Sequence, residues 1–197
     1  MDIGRRQKDT LIMATIPPSL EPLLHRTPSD PRPVVVMTCG IAGVGKSTLC
    51  KLIVAKYPSF TRLSGDIILY EEHGMYGIDY PPEKYAEFSA EAAAEYDKRA
   101  LELLSERERT IDVVLDRSFW AREDRDKYKR LIEEKGGRWV LVYFKASRDV
   151  LWRRIKERAA KVRDADSAYD VTEEVLNRYW AGWEEPEGEG ETVIEVL

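Results

Sequence analysis

The chain has 197 residues, of which 34% are charged and 43% hydrophobic, a composition typical of a single globular domain. No apolar run approaches the ~18 to 20 residues that span a bilayer, which excludes a membrane protein. The formal net charge is -5, with 36 acidic and 31 basic residues. Because proteins that bind nucleic-acid backbones usually carry a basic excess, nucleic acid is possible but disfavoured as a partner.

Residues 1–33 carry six prolines and no sustained hydrophobic periodicity. This composition predicts a Pro-rich N-terminal extension, extended or partly ordered, rather than a second domain. Whether it packs on the rest of the chain is left open. We expect the folded domain to cover residues 34–197.

Strand and helix patterns alternate from residue 34 onward, beginning with a β-branched run at 34–38 that is typical of a strand buried on both faces. This alternation predicts an α/β three-layer sandwich around a parallel five-stranded sheet. The further predicted strands are 60–63, 111–115, 138–144 and 192–196. The predicted helices are 46–56, one or two within 82–108, 121–135, 148–162 and 171–183.

A glycine-rich segment follows the first strand and matches G-x-x-x-x-G-K-[ST] at every fixed position, with a predicted helix directly after it. Glycines allow successive backbone N–H groups to turn toward phosphate oxygens, and the helix adds the positive end of its dipole. We predict that ATP or GTP binds here with Mg²⁺, with the Lys46 ammonium at the β- and γ-phosphates and the Ser47 hydroxyl on the metal. The predicted nucleotide-binding residues are Gly40, Ile41, Ala42, Gly43, Val44, Gly45, Lys46, Ser47 and Thr48.

The two cysteines, Cys39 and Cys50, flank this loop without metal-ligand spacing. We expect both to be reduced, buried core residues. Reduced thiols, together with the lack of a signal-peptide pattern, indicate a cytoplasmic protein.

Two acids follow predicted strands and face the same edge of the sheet. Asp116 ends the strand 111–115, where it could hold Mg²⁺ through water or instead cap the next helix. Asp66 follows the short second strand, where a carboxylate could orient an attacking hydroxyl and accept its proton. From spacing alone, an ordinary Ser-Gly-Asp turn is an equal interpretation of Asp66.

Arginines crowd the predicted helix 148–162, and Arg154 and Arg158 stand four residues apart on one face. Phosphoryl transfer spreads negative charge over the equatorial oxygens, which arginines closing over a nucleotide would offset. A solvated helix with internal ion pairs is the alternative. The position after the fourth strand favours a helical lid.

With these residues in place, the chain resembles the small P-loop kinases of the AAA-domain type, the group of polynucleotide 5'-hydroxyl kinases, zeta toxins and chloramphenicol phosphotransferases. The resemblance covers residues 33–197 and is carried by the glycine-rich loop, Asp66, and the segments 113–118 and 150–158. It implies a nucleoside-kinase-like fold that uses ATP and Mg²⁺.

The resemblance also implies roles for individual residues. Asp66 would be the general base, and Arg154 and Arg158 would contact the transferred phosphate. The segment 183–186, with Pro186, would border the adenine.

The segment 70–82 is rich in glycine and tyrosine. It suits a mobile loop that binds the phosphate acceptor, with ring faces for stacking and hydroxyls for hydrogen bonds. A surface loop whose tyrosines pack on the helices beneath it is an equal alternative. No residue of this segment is therefore assigned to the substrate.

Three functions follow from the sequence. The first is an ATP-dependent kinase that phosphorylates a hydroxyl of a small metabolite or nucleoside, with Asp66 and Lys46 among the catalytic residues. The second is a polynucleotide 5'-hydroxyl kinase, which the acidic chain and the lack of an appended phosphatase or ligase module disfavour. The third is a nucleotide-hydrolysing switch or binding module, which the missing Asn-Lys-x-Asp motif disfavours as a GTPase.

Overall fold

A five-stranded parallel sheet forms the centre of the computed structural model, which describes residues 15–106, 111–160 and 162–197. Its strand order is β2-β3-β1-β4-β5, and every neighbouring pair is parallel. The strands are β1 Val34–Cys39, β2 Phe60–Ser64, β3 Asp112–Asp116, β4 Arg138–Ala146 and β5 Thr192–Val196.

In the described part of the chain, six α-helices connect these strands. They are α1 Lys46–Lys56, α2 Gly65–His73, α3 Tyr85–Leu104, α4 Arg122–Glu134, α5 Arg148–Ala159 and α6 Glu173–Ala181. Short 3-10 turns lie at Glu21–Leu24, Pro82–Lys84 and Ala165–Ser167. No helix in the described part of the chain is long and apolar enough to cross a bilayer.

The central strand β1 separates two hydrophobic cores. All six of its residues are buried, and because side chains alternate along a strand, Val34 and Val36 enter one core while Val35 and Met37 enter the other. Helices α1, α5 and α6 cover the first core, and α2, α3 and α4 cover the second. The predicted three-layer α/β fold is thus confirmed.

Part of the predicted N-terminal extension belongs to the first core. Ile16, Leu20 and Leu24 are at most 5% exposed and belong to the same hydrophobic cluster as the buried residues of β1 and α1. The Arg138 guanidinium fixes this segment by donating to the carbonyl oxygens of residues Leu23 and His25, each at 3.1 Å. Residues 1–14 of the extension lie outside the described residues, and its boundary at residue 33 stays a prediction.

Most predicted elements are present, with shifts at their ends. Helix α5 ends at Ala159 instead of residue 162, and α3 begins at Tyr85 after a 3-10 turn. The predicted helix end at residue 108 lies outside the described residues. Cys39 and Cys50 are free and buried, as expected.

Helix α2 was not predicted from the sequence, where residues 64–66 suggested a turn. The Ser64 side chain is the N-cap of this helix and accepts a hydrogen bond from the Ile67 backbone N–H at 3.4 Å. Asp66 therefore lies in the first turn of a helix. Residues 70–73, the start of the segment 70–82 that was predicted to be a loop, also belong to α2.

A buried ion cluster attaches the chain before β5 to α4. The Arg125 side chain is 0% exposed and donates two hydrogen bonds, at 2.9 and 2.7 Å, to the Glu189 carboxylate. Lys129 adds a bond of 2.9 Å to the Glu189 carbonyl oxygen. Arg125 donates a third hydrogen bond, 2.9 Å long, to the carbonyl oxygen of Phe119. Phe119 has a φ of 42° and is the one described non-glycine residue with a positive φ.

We expect Glu189→Gln to destabilise the fold by about 3 kcal/mol, because it leaves the buried Arg125 guanidinium without its compensating charge. Urea denaturation at neutral pH measures this difference. The matched control is Glu187→Gln, which changes an exposed acid of the same segment. A loss no larger than that of the control would contradict the structural role of the cluster.

Candidate active site

The glycine-rich loop joins β1 to α1 and has a conformation that requires glycine. Gly43 and Gly45 have φ values of +87° and +108°, in the region that side-chain-bearing residues rarely adopt. A Cβ on Gly43 would lie 2.8 Å from Cγ1 of Ile155 on α5. The loop thus lies beneath α5, and its backbone geometry is that expected for a phosphate loop.

The Lys46 ammonium folds back over this loop. It donates hydrogen bonds to the carbonyl oxygens of Gly40 at 2.8 Å and Ile41 at 3.2 Å. Burial lowers the pKa of Lys46, while the nearby carboxylates of Asp116 and Asp66 favour its charged form. The structure therefore brings these three predicted site residues close together.

The Asp66 side chain opens to solvent but is surrounded by protein atoms at longer range, as in a cleft. The loss of water around it raises its pKa to about 6, and the charges of Asp116 and Asp166 contribute to the increase. Lys46 and Arg158 act in the opposite direction. A carboxylate with this pKa is largely ionised at neutral pH and can still accept a proton.

The Asp116 carboxylate, with its side chain 3% exposed, pairs with the Arg62 guanidinium. Arg62 Nε and Nη2 both donate to Asp116 Oδ2, at 3.0 and 2.5 Å. Oδ1 accepts no hydrogen bond from the described residues. This free oxygen and the half-buried Ser47 hydroxyl are hard donors that fit Mg²⁺, so the predicted metal ligands are chemically suitable.

Arg62 also holds the segment that follows α5. Its Nη2 pairs with the Asp166 carboxylate, which forms a second ion pair with Lys51 of α1. Asp166 lies 104 residues from Arg62 in the chain. Sequence reasoning missed this connection, although an arginine inside the predicted strand 60–63 was a signal for a carboxylate partner.

The two predicted lid arginines lie on α5, above the loop. Arg154 Nη2 is 3.5 Å from the position that a Cβ on Gly45 would occupy. Arg158 is close enough to Asp66 for its positive charge to lower the pKa of that carboxyl. Neither guanidinium forms an ion pair or hydrogen bond with any described residue, whereas the Arg148 guanidinium on the same helix bonds Glu173. Both predicted lid residues are therefore free to contact an anion.

Pro186 is buried in the segment that connects α6 to β5. Trp183 in this segment stacks on the ring of Tyr143, with ring centroids 6.0 Å apart, and Tyr143 lies opposite Cys39 in the β1–β4 register. The segment is therefore near the start of the glycine-rich loop. Contact between Pro186 and adenine stays a prediction.

A cavity of about 610 Å³ lies between α4 and the segment 183–186 that is predicted to border the adenine. Its lining mixes arginines with acids and includes two residues of that segment, but neither the glycine-rich loop nor any predicted catalytic residue. The lining residues are Arg122, Glu123, Arg125, Asp126, Arg130, Glu184 and Glu185.

A family model described as an AAA domain, AAA_33, matches residues 35–186. The chain belongs to this family. The match confirms the sequence-based resemblance to small P-loop kinases of the AAA-domain type. No curated protein matches the sequence.

Solved structures similar to this AAA domain include kinases. A gluconokinase from Sinorhizobium meliloti 1021 is 23% identical with a TM-score of 0.55, over 87% of this chain and 85% of that one. A proposed kinase from Chloroflexus aurantiacus is 18% identical with a TM-score of 0.63, over 83% and 85%. A Pnkp1/Rnl/Hen1 complex contains a chain 14% identical with a TM-score of 0.51, over 71% and 44%. At these identities the likeness establishes a shared P-loop kinase fold.

We expect Asp66→Asn to stabilise the AAA domain at pH 7.5 by about 1 kcal/mol, a figure reduced because the side chain opens to solvent. The pKa of Asp66 is about 6 in the folded chain against an ordinary 3.8. The folded state thus binds the proton more tightly, and it loses stability as the pH rises from about 4 through 6. Asparagine cannot ionise and avoids this loss.

Urea denaturation at pH 4 and pH 7.5 tests the prediction. The variant should match the wild type at pH 4 and exceed it at pH 7.5. Glu102→Gln, at an exposed position of α3, is the matched control. An Asp66→Asn variant less stable than the wild type at pH 7.5 would show that the carboxylate makes a favourable contact instead.

Proposed function

We propose that the protein is an ATP-dependent kinase that transfers the γ-phosphate to a hydroxyl of a small molecule. The observation that carries this proposal is the placement of Asp66 near Lys46 of the phosphate loop, with the unpaired Arg154 above that loop. A proton acceptor next to a phosphate site suits transfer to an alcohol. Membership in the AAA_33 family and the kinase fold of its structural neighbours support it.

In the proposed reaction, the Asp66 carboxylate accepts the proton of the acceptor hydroxyl. The hydroxyl oxygen forms a bond to the γ-phosphorus, and the bond from that phosphorus to the β,γ-bridging oxygen breaks, so that ADP leaves with the electron pair. Lys46 and the loop N–H groups hold the phosphates. Arg154 and Arg158 offset the charge on the transferred group.

Mg²⁺ would be held by the Ser47 hydroxyl and the Asp116 carboxylate, and when bound it would supply positive charge to the β- and γ-phosphates. Arg62 keeps the Asp116 carboxylate in place through its Oδ2 atom. Pro186 would border the adenine. These roles complete the proposed site.

We expect Asp66→Asn to lower acceptor-dependent turnover by about 10²- to 10⁴-fold, because the variant cannot accept the hydroxyl proton. Affinity for Mg-ATP, measured by calorimetry, should stay nearly unchanged. Lys46→Ala should instead weaken ATP binding, because it removes a cation that holds the phosphates. Wild-type turnover by Asp66→Asn would show that another group is the base.

We expect Arg154→Ala to lower kcat by about 10³-fold, since the arginine would stabilise charge that develops during transfer. Arg153→Ala is the matched control, because Arg153 is the neighbouring, exposed residue of α5. ADP release at saturating ATP, with and without an alcohol acceptor, is the measurement. Equal effects of the two substitutions would contradict the lid assignment.

The same assay separates the proposed kinase from a nucleotide-hydrolysing module. A kinase releases ADP faster when its acceptor is added, whereas a hydrolysing module releases it at one rate regardless of alcohol. Mg²⁺-dependent hydrolysis that no alcohol accelerates would favour the second function.

A further inference from the structure

Four tyrosines from separate segments gather on the Asp66 side of the molecule, and we call them the tyrosine cluster: Tyr76, Tyr85, Tyr169 and Tyr179. Tyr85 at the start of α3 stacks on Tyr169, with ring centroids 4.0 Å apart and planes at 19°. The Tyr76 ring meets both edge-on, at 5.6 and 4.8 Å. Tyr179 of α6 is close enough to Tyr85 to contribute to the raised pKa of that residue.

The cluster is held in place by contacts between its segments. The Arg163 guanidinium donates to the Tyr76 carbonyl oxygen at 3.3 Å and pairs with Asp170 at 2.8 Å. The segment that carries Tyr169 is also tied to β2 by the ion pair between Asp166 and Arg62. The rings of the cluster are each half-buried, so part of each stays accessible.

The cluster lies close to the proposed base. Burial raises the pKa of both Tyr85 and Tyr179, and the charge of Asp66 raises each further. Helix α2, which carries Asp66, also packs against the 3-10 turn at Ala165–Ser167, just before Tyr169. Aromatic ring faces, ring edges and hydroxyl groups therefore lie near the Asp66 carboxylate. Tyrosine supplies apolar ring surface and a hydrogen-bonding hydroxyl in one side chain, which suits a ligand that has both a ring and hydroxyl groups.

The charges around the cluster disfavour an anionic ligand. Lys84 next to Tyr85 pairs with Glu87 at 2.7 Å, and Arg163 and Arg62 are paired as described. The Asp66 carboxylate, which has no ion-pair partner among the described residues, would repel an added carboxylate or phosphate. The Arg158 guanidinium near it is assigned to the transferred phosphate. One exposed cation of the described residues, Arg178 of α6, is close enough to lower the pKa of Tyr169 and Tyr179. Substitution of Arg178 therefore serves as the control for the tyrosine variants.

We propose that the phosphate acceptor is an uncharged, ring-bearing alcohol, such as a nucleoside or an aryl glycoside, whose ring packs on the tyrosine cluster while its hydroxyl faces Asp66. This inference rests on the proposed function. The acceptor hydroxyl gives its proton to Asp66, its oxygen gains the γ-phosphoryl group, and ADP leaves. The cluster contributes ring contact and hydroxyl hydrogen bonds and takes no part in bond breaking.

A matched pair of probes tests the charge preference. Nucleosides and their 3'-monophosphates both carry a free 5'-hydroxyl, and in the monophosphate the 3'-hydroxyl is esterified by the added anion. With radiolabelled ATP and Mg²⁺, we expect kcat/KM for the nucleoside or for a phenyl glycoside to exceed that for any anionic probe by at least about tenfold. Gluconate and a 5'-hydroxyl oligonucleotide complete the anionic set.

Each outcome bears on a different claim. Transfer to the anionic probes but not to the uncharged ones would overturn the acceptor proposal and leave the kinase proposal standing. Failure of every alcohol to accept phosphate, despite Mg-ATP binding, would defeat the proposed function itself. Transfer to the 3'-monophosphate and oligonucleotide in preference to the nucleoside would indicate the polynucleotide alternative.

Variants then connect the preference to the cluster. Tyr85→Phe removes a hydroxyl and Tyr169→Leu removes a ring face, and each should raise the acceptor KM by about tenfold, with KM for ATP unchanged. Arg178→Gln should change the acceptor KM by less than about twofold. Thermal unfolding confirms that each variant folds. A large effect of Arg178→Gln with none from the tyrosine variants would overturn the proposal.

Discussion

The site depends on the parallel pairing of three strands, β2, β3 and β1, whose carboxyl ends meet at one edge of the sheet. Ser64 lies opposite Asp116 in the β2–β3 register, and Met37 lies opposite Leu115 in the β1–β3 register. The residues just beyond these ends are therefore neighbours. This constraint brings the phosphate loop, Asp66 and Asp116 together although they are distant in sequence.

Electrostatic balance shapes this edge. Asp66, Asp116 and Asp166 would repel one another if they were alone, and the cations Lys46 and Arg62 lie among them. Arg62 forms ion pairs with two of the three carboxylates, those of Asp116 and Asp166. No described residue forms an ion pair with Asp66, and the loss of water around it, together with its acidic neighbours, raises its pKa to about 6. The unpaired carboxylate is the one suited to proton transfer.

The buried ion cluster supports the other side of the site, near the segment with Pro186. Glu189 binds Arg125 and Lys129 and so attaches the segment before β5 to α4. Arg125 also bonds the carbonyl of Phe119, and one residue earlier Ser118 accepts a hydrogen bond from the Gly40 N–H at 3.0 Å. The start of the phosphate loop and the segment with Pro186 thus share one rigid support.

The sequence by itself determined the local features. The glycine-rich loop, the alternating strands and helices, and the arginine pattern of α5 depend on residues close in the chain, so they can be read directly. The sequence reasoning missed α2, because its N-cap Ser64 also fits a turn. The roles predicted for Asp66, Asp116 and Pro186 remain predictions that the structure makes chemically reasonable.

Only the tertiary structure decided which distant groups meet. Arg62 and Asp166 are separated by 104 residues, and the stacked rings of Tyr85 and Tyr169 come from α3 and from the chain beyond α5. Side chains so far apart in sequence leave no periodic pattern, since their contact depends on how whole helices pack against the sheet. For this reason the tyrosine cluster, and with it the inferred acceptor class, became visible only in the folded chain.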